Sequence, residues 1–221
     1  VLRYYIYASL SDGSKVYADN QAVAEEQATQ FAQWLNPHNL TPHWSTTARI
    51  YQIFVDRFNP GRNRDWLQTQ NLLSPFGGTL RGVIEKLDHI QGLGFNTIWL
   101  TPVFSSPSHH GYDISDYTQI EPRIGTEKDL RELLTLAHQK GMRVLLDFVA
   151  NHCSNQHPAF QSGLADQLVA HSGWFTWTKW PKRYQSYYNV KTMPELNLRF
   201  GSPARAHLIE AAQKWLRLGV D

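Results

Sequence analysis

The chain has 221 residues, enough for one large domain or two small ones. Hydrophobic residues at 42% and charged residues at 18% exclude disorder, collagen and coiled coil. The formal net charge of +2 gives no basis for a nucleic-acid or anionic-membrane partner, and the single cysteine, Cys153, excludes a disulfide framework and a multi-cysteine zinc site.

Tyr4, Ile6 and Ala8 alternate with Tyr5, Tyr7 and Ser9, and Asp12-Gly13 turns the chain into Lys15–Ala18. This is a hairpin pattern, too small to be stable alone, and it reads as the tail of an upstream β-domain. Ala24, Ala28, Phe31 and Leu35 form a helical stripe, so a helix is expected over residues 22–35, with a linker over 36–48. Residues 1–43 thus read as the end of a β-domain plus a linker helix.

The rest alternates strand and helix. Ile50–Val55 reads as a strand and the Gly- and Asn-rich residues 59–78 as a loop. Leu80, Val83, Ile84, Leu87 and Ile90 form a helical face ended by Gly92 and Gly94. Asn96–Leu100 is an apolar strand, and a long loop spans Thr101–Gly125. Thr126 and Asp129 resemble a capping box opening a helix with Leu130, Leu133, Leu134 and Ala137, and Arg143–Phe148 is a further apolar strand. An irregular aromatic stretch covers 153–200, and Ser202-Pro203 opens a helix through Trp215 and Leu216. Helix, glycine, apolar strand recurs as LGFNTIWL, KGMRVLLDF and LGVD, so Val220-Asp221 reads as the start of a fourth parallel strand. The pattern is that of a parallel sheet covered by helices, in a barrel or a doubly wound sheet. No apolar run reaches the ~18–20 residues of a membrane span, and no signal-peptide pattern opens the sequence.

Polar and ionisable residues gather where the strands end: Asp56-Arg57-Phe58, then Ser108–Asp113 with Asp116-Tyr117, then Asp147, Asn151 and His152. Singly, each has a plain reading: Asp56-Arg57 a structural ion pair, His109-His110 a solvated loop pair, Asp147–His152 a helix or strand cap, Tyr112 a core residue. Their coincidence at three strand ends points to a site. There is no P-loop, dinucleotide fingerprint, H-E-x-x-H or G-x-S-x-G motif. Cys153 reads as a buried structural thiol. Aromatic residues at 13% suit a carbohydrate ligand, whose C–H faces stack on flat rings.

Tyr51-Gln-Ile-Phe-Val-Asp-Arg-Phe58, Gly94–Pro102, His110-Gly-Tyr-Asp-Ile-Ser-Asp-Tyr117 and Asp147-Phe-Val-Ala-Asn-His152 together resemble the α-amylase family, glycoside hydrolase family 13. Met193-Pro-Glu-Leu-Asn197 resembles that family's extra motif in its neopullulanase and cyclomaltodextrinase subgroup, where an N-terminal β-sandwich precedes the barrel. The resemblance implies a (β/α)8 barrel whose N-terminal half occupies residues 44–221, with an inserted domain B at about 153–200. It implies that Tyr112 stacks on the sugar beside the cleaved bond, that His152 hydrogen-bonds the same sugar, and that Asp147 is a structural carboxylate near the site. Asn151 matches a calcium-binding position of classical α-amylases, and Glu195 falls where they carry a ligand in the extra motif. Asn59, Asn63 and Asp65 partly echo a calcium loop that Arg62 and Thr79 depart from.

Retaining cleavage in this family needs a nucleophile and an acid/base about 5–5.5 Å apart. The resemblance puts the nucleophile shortly after a Gly-x-Asp-Gly-x-Arg-x-Asp run whose first Asp is Asp221, so no catalytic carboxylate is expected within the chain, and the chain alone is expected to be inactive. The implied full-length protein is an α-glucan hydrolase acting on α-1,4 or α-1,6 bonds of maltooligosaccharides, cyclodextrins or pullulan. A transglycosylase, a trehalose-forming enzyme and a non-catalytic amylase-like subunit are the alternatives. No cofactor is required, calcium is allowed for, no nucleic-acid or membrane partner is expected, a homodimer is allowed for, and a cytoplasmic location is slightly favoured.

Overall fold

The computed structural model describes residues 2–4, 6–18, 23–24, 31–33 and 42–221, and the chain divides by internal contacts after Thr47. In the first unit β1 (Leu2–Tyr4), β2 (Ile6–Ser9), β3 (Lys15–Ala18), β4 (Val23–Ala24) and β5 (Phe31–Gln33) pair antiparallel, as β2-β3-β4 and β1-β5. The hairpin forms where Asp12-Gly13 predicts it. Asp12 Oδ1 accepts from the Ser14 amide at 2.9 Å and hydroxyl at 2.6 Å, and Gly13 supplies the φ of 85° that the turn needs.

The helix expected over 22–35 is corrected: Ala24 and Phe31, two residues of its stripe, lie in strands. Neighbouring strands offer these short segments backbone partners, and that pairing overrides a weak helical period. Ala28, Leu35 and residues 36–41 of the expected linker lie outside the described residues.

The second unit is built on β6 (Ile50–Ile53), β7 (Thr97–Leu100) and β10 (Arg143–Leu146), all parallel in the order β10-β7-β6. The register aligns Ile53, Leu100 and Leu146 on one face and Gln52, Trp99 and Leu145 on the other. Helices α1 (Leu80–Glu85), α2 (Leu87–Gly92), α3 (Glu127–Gln139) and α5 (Pro203–Leu218) share one buried cluster with Ile53, Ile98, Leu100 and Val144. Each such fully buried aliphatic side chain contributes roughly 1.5–3 kcal/mol. The opposite face is uncovered: Gln52 is exposed and Trp99 is 36% exposed.

The caps follow the sequence. Thr126 Oγ1 accepts from the Asp129 amide while Asp129 Oδ2 accepts from the Thr126 amide, closing the capping box of α3. The helical face from Leu80 to Ile90 is two helices, not one, because Lys86 leaves helical geometry at φ −105°, ψ 5°. Gly82 explains why α1 can lie on the loop after β6: a Cβ there would stand 1.9 Å from the Asn59 carbonyl oxygen. After α5, Gly219 adopts φ 114° and the Asp221 amide donates to the Val144 carbonyl at 3.1 Å, at the outer edge of β10 where the fourth strand is expected.

Two stretches read as irregular contain elements. The loop Thr101–Gly125 holds the antiparallel pair β8 (Phe104–Ser105) and β9 (Asp116–Ile120). Residues 153–200 hold α4 (Pro158–Ala165), the pair β11 (Trp177–Lys179) and β12 (Arg183–Tyr184), and short turns at Ala170–Trp174 and Tyr187–Asn189. Among the described residues no helix is long and apolar enough to cross a membrane.

Candidate active site

Loops leaving the C-terminal ends of β6, β7 and β10 build the site. After β6, Asp56 is buried and pairs with Arg57 Nε at 2.8 Å. Its carboxylate also accepts from the Phe76 amide at 3.0 Å and the Gly77 amide at 3.2 Å. Arg57 donates to the carbonyls of Leu72 and Ser74 and lies 3.7 Å from the Phe76 ring centroid. Both residues hold the 59–78 loop against the strand end, as a structural ion pair does.

After β7, Gly111 has φ 79° and a Cβ on it would stand 2.6 Å from the Pro102 carbonyl oxygen, so only glycine fits this close approach. The hydroxyls of Ser106 and Ser108 donate to Asp113 Oδ1. His110 Nδ1 accepts from the Tyr112 amide at 3.1 Å and lies 3.1 Å from Ser108 Oγ. The loop is thereby fixed with the Tyr112 hydroxyl donating to Asp147 Oδ2 at 2.9 Å. Burial and that carboxylate push the Tyr112 phenol up to about 12, so it stays a neutral donor. His109 does not join this network. Its ring lies 5.9 Å from that of Phe54, and burial lowers its pKa.

After β10, the Asp147 amide donates to the Leu100 carbonyl at 2.9 Å, which places its carboxylate at the top of the sheet. Fully buried Tyr117 donates its hydroxyl to the carbonyls of Val149 at 3.0 Å and His152 at 2.7 Å, tying down the following turn. His152 is 4% exposed, its Nδ1 is 3.2 Å from Asn151 Nδ2, and its Nε2 is buried without a hydrogen-bond partner. Burial lowers its pKa against the pull of the Tyr112 backbone and the carboxylates of Glu195 and Asp113. A neutral imidazole with an unused nitrogen is suited to hydrogen-bonding a ligand hydroxyl. Strand-like pairing of His152 with Glu195 brings the Met193–Asn197 motif alongside.

The structure thus joins Tyr112, Asp147 and His152 and leaves Asn151 at the rim, exposed. It also brings in Tyr117, from the second strand end, and Tyr187, from the aromatic stretch 153–200. Tyr117 is the anchor of the His152 turn, and Tyr187 stacks on His152 with centroids 4.5 Å apart. Tyr187 stands six residues before Met193 of the extra motif.

The expected calcium positions hold no cluster of acidic side chains. Calcium takes six to eight oxygens, whereas among the described residues no three His, Cys, Asp or Glu side chains converge. The Asn59 amide is engaged by Gly61 and Gly82, and the Asn151 amide nitrogen faces His152. Cys153 is fully buried and its thiol is pushed up by burial, so it is an inert core group.

Residues 52–202 match the family model described as alpha amylase, catalytic domain. The chain belongs to the α-amylase catalytic-domain family. Among curated relatives of this α-amylase family chain, alpha-amylase 2 of Dictyoglomus thermophilum is 40% identical over 188 residues, covering 85% of this chain and 33% of the relative. A cyclomaltodextrinase of Thermoanaerobacter pseudethanolicus is 34% identical over 191 residues, covering 80% and 33%. Among solved structures, the cyclic α-maltosyl-(1→6)-maltose hydrolase of Arthrobacter globiformis, in complex with cyclic α-maltosyl-(1→6)-maltose, superposes with a TM-score of 0.75 at 31% identity. That match covers 81% of this chain and 44% of the hydrolase. The chain therefore spans a third of the length of these two curated relatives. Its three parallel strands with helices on one face are the corresponding part of an α-amylase family (β/α)8 barrel.

Proposed function

We propose that this chain forms the N-terminal half of the catalytic barrel of a retaining α-glucan hydrolase, with residues 153–200 as its inserted domain B. The observation that carries the reading is the joined Tyr112, Asp147 and His152 at the strand ends. Tyr112, oriented by its 2.9 Å bond to Asp147, offers a ring for a glucose face. His152 offers a buried, unpaired Nε2 for a sugar hydroxyl. Such a donor or acceptor, fixed before the substrate arrives, gains strength as charge develops on the sugar.

Four carboxylates at the strand ends already have structural partners. Asp56 serves Arg57 and the 59–78 loop, Asp113 serves Ser106 and Ser108, Asp116 accepts from Thr118 at 2.7 Å, and Asp147 serves Tyr112. The nucleophile and acid/base are proposed to lie beyond Asp221, as the family resemblance implies. Short maltooligosaccharides and cyclodextrins are the proposed substrates, supported by the names of the cyclomaltodextrinase and the cyclic maltosyl-maltose hydrolase.

The test is to express the complete reading frame and assay it on maltoheptaose and β-cyclodextrin for reducing sugar and for transfer products. Cleavage of both supports the reading. A folded full-length protein that releases and transfers nothing overturns it.

A further inference from the structure

The seven aromatic residues from Trp174 to Tyr188 in the inserted segment fall into two groups. Trp174 and Phe175 are buried, Trp177 and Tyr184 pack on Phe160, and the Trp180 indole donates to the Gly163 carbonyl at 2.9 Å. These five form or flank the core of the segment. Tyr187 and Tyr188 stand outside it.

Tyr187 lays its ring on His152, and Tyr188 sets its ring edge-on to Tyr187, with centroids 4.7 Å apart and planes at 80°. Tyr188 is 84% exposed. Its backbone has φ 45°, ψ 36°, a left-handed conformation that penalises a bulky side chain and that glycine or asparagine adopts far more readily. The turn is pinned to the Met193–Asn197 motif. The Tyr187 amide donates to the Met193 carbonyl at 3.0 Å, the Val190 amide to the Tyr187 carbonyl at 2.8 Å, and the Glu195 amide to the Gln185 carbonyl at 3.0 Å. A tyrosine here is strained and adds little packing, so local structure does not account for it. Strain of this kind persists where a side chain is held out for a ligand.

We propose that Tyr188 is a sugar-stacking residue for a glucosyl unit further along the α-glucan than the one held by Tyr112 and His152, and that Tyr187 is the positioning residue that keeps it beside His152. The inference rests on the α-glucan reading above. The apolar C–H face of the glucose ring lies on the exposed tyrosine plane, and because the platform sits outside the Tyr112–His152 pair it acts only on substrates long enough to reach it. Tyr188 is thereby a determinant of chain-length preference.

The experiment uses the complete protein and compares wild type with Tyr188→Ala, Tyr188→Gly and Tyr188→Phe. The readouts are kcat/KM on maltotriose and on maltoheptaose, and the melting temperature. Tyr188→Ala and Tyr188→Gly are expected to lower the maltoheptaose-to-maltotriose ratio about tenfold, the effect of one lost aromatic contact. Tyr188→Phe is expected to keep the ratio, and Tyr188→Gly to melt no lower than wild type because the left-handed strain is relieved. An unchanged ratio in the folded glycine variant overturns the proposal, as does an equal fall on both substrates or a phenylalanine variant as impaired as alanine. A wild type that cleaves no maltooligosaccharide overturns the α-glucan reading itself, an outcome distinct from one in which wild type prefers the longer chain and the Tyr188 variants share that preference.

Discussion

At the scale of single residues, the site is defined by which polar atoms are used and which are left free. His152 is the clearest case. Its imidazole is buried among Asn151, Tyr187 and the Tyr112 backbone, yet Nε2 has no partner, and an unpartnered buried polar atom costs about 1–3 kcal/mol unless something else engages it. A substrate hydroxyl is the proposed occupant. In the complete protein His152→Ala is expected to lower kcat/KM on maltoheptaose by one to several powers of ten, roughly 2–5 kcal/mol. Wild-type kinetics in that variant would remove His152 from the site. Tyr112→Phe keeps the ring and loses only the bond to Asp147, so the expected fall is smaller, about tenfold or less. A loss as large as that of Tyr112→Ala would show that the hydroxyl and not the ring face matters.

The sequence made Tyr112, Asp147 and His152 visible because each sits in a motif at a strand end. It did not show how they meet. That contact depends on Gly111 closing on Pro102 and on Tyr117 donating to two carbonyls 32 and 35 positions away, and neither is a local property of the chain.

At the scale of elements, periodicity and caps were readable and interruptions were not. The capping box at Thr126–Asp129 and the Ser202-Pro203 start of α5 carry their signals in four adjacent residues. The break at Lys86 has no proline or glycine to announce it. Helix α4 was hidden in an aromatic stretch, although Pro158 at its first turn and His157 before it were the available signs. The β8–β9 pair was missed because each strand is stabilised by the other, not by its own pattern. Gly111→Ala tests the loop that carries Tyr112. A methyl 2.6 Å from the Pro102 oxygen, on a backbone at φ 79°, is expected to cost roughly 3 kcal/mol or more and to lower activity in parallel. A variant as stable and active as wild type would mean the loop relaxes freely.

His157 gives α4 a pH signature. Its Nδ1 accepts from the Ala159 amide as the N-cap, and it packs near Tyr117, Trp174, His171 and His207, with Asp116 as the nearby carboxylate. Burial, aided by His207, lowers its pKa to about 4 against about 6.5 in an unfolded chain. The unfolded state therefore takes the proton first. The stabilising contribution is whole above about pH 6.5 and is lost as pH falls toward 4, amounting to about 3 kcal/mol. His157→Asn keeps a capping acceptor and removes the titration, so its melting temperature is expected to change less between pH 6.5 and 4 than that of wild type. Parallel melting curves for the two proteins would assign the pH dependence elsewhere.

At the scale of the whole molecule, the second unit is a sheet with one finished face. Ile53, Ile98, Leu100 and Val144 are packed beneath helices, while Gln52 and Trp99 face outward. A groove lined by Phe104, Leu145, Leu146, Phe148, Trp215, Leu216 and Val220 runs along the outer side of β10. At its end Asp221 is held by Arg143 Nη1, His138 Nε2 and the Val144 amide at 2.7, 2.7 and 2.9 Å. An apolar groove beside an open strand edge is a template for association. Covering of order 10³ Å² there is worth about 25 cal/mol per Å², which exceeds the roughly 5–15 kcal/mol net stability of an ordinary domain. The polypeptide of residues 1–221 expressed by itself is therefore expected to aggregate or to lack a cooperative thermal transition. It is also expected to release no reducing sugar from maltoheptaose, because every carboxylate at its strand ends is committed to a structural partner. Calorimetry and a sugar-release assay on that polypeptide check both statements separately. A soluble monomer with a sharp transition would show that the open face is tolerated, and hydrolysis would show that one of Asp56, Asp113, Asp116 or Asp147 leaves its partner to do chemistry.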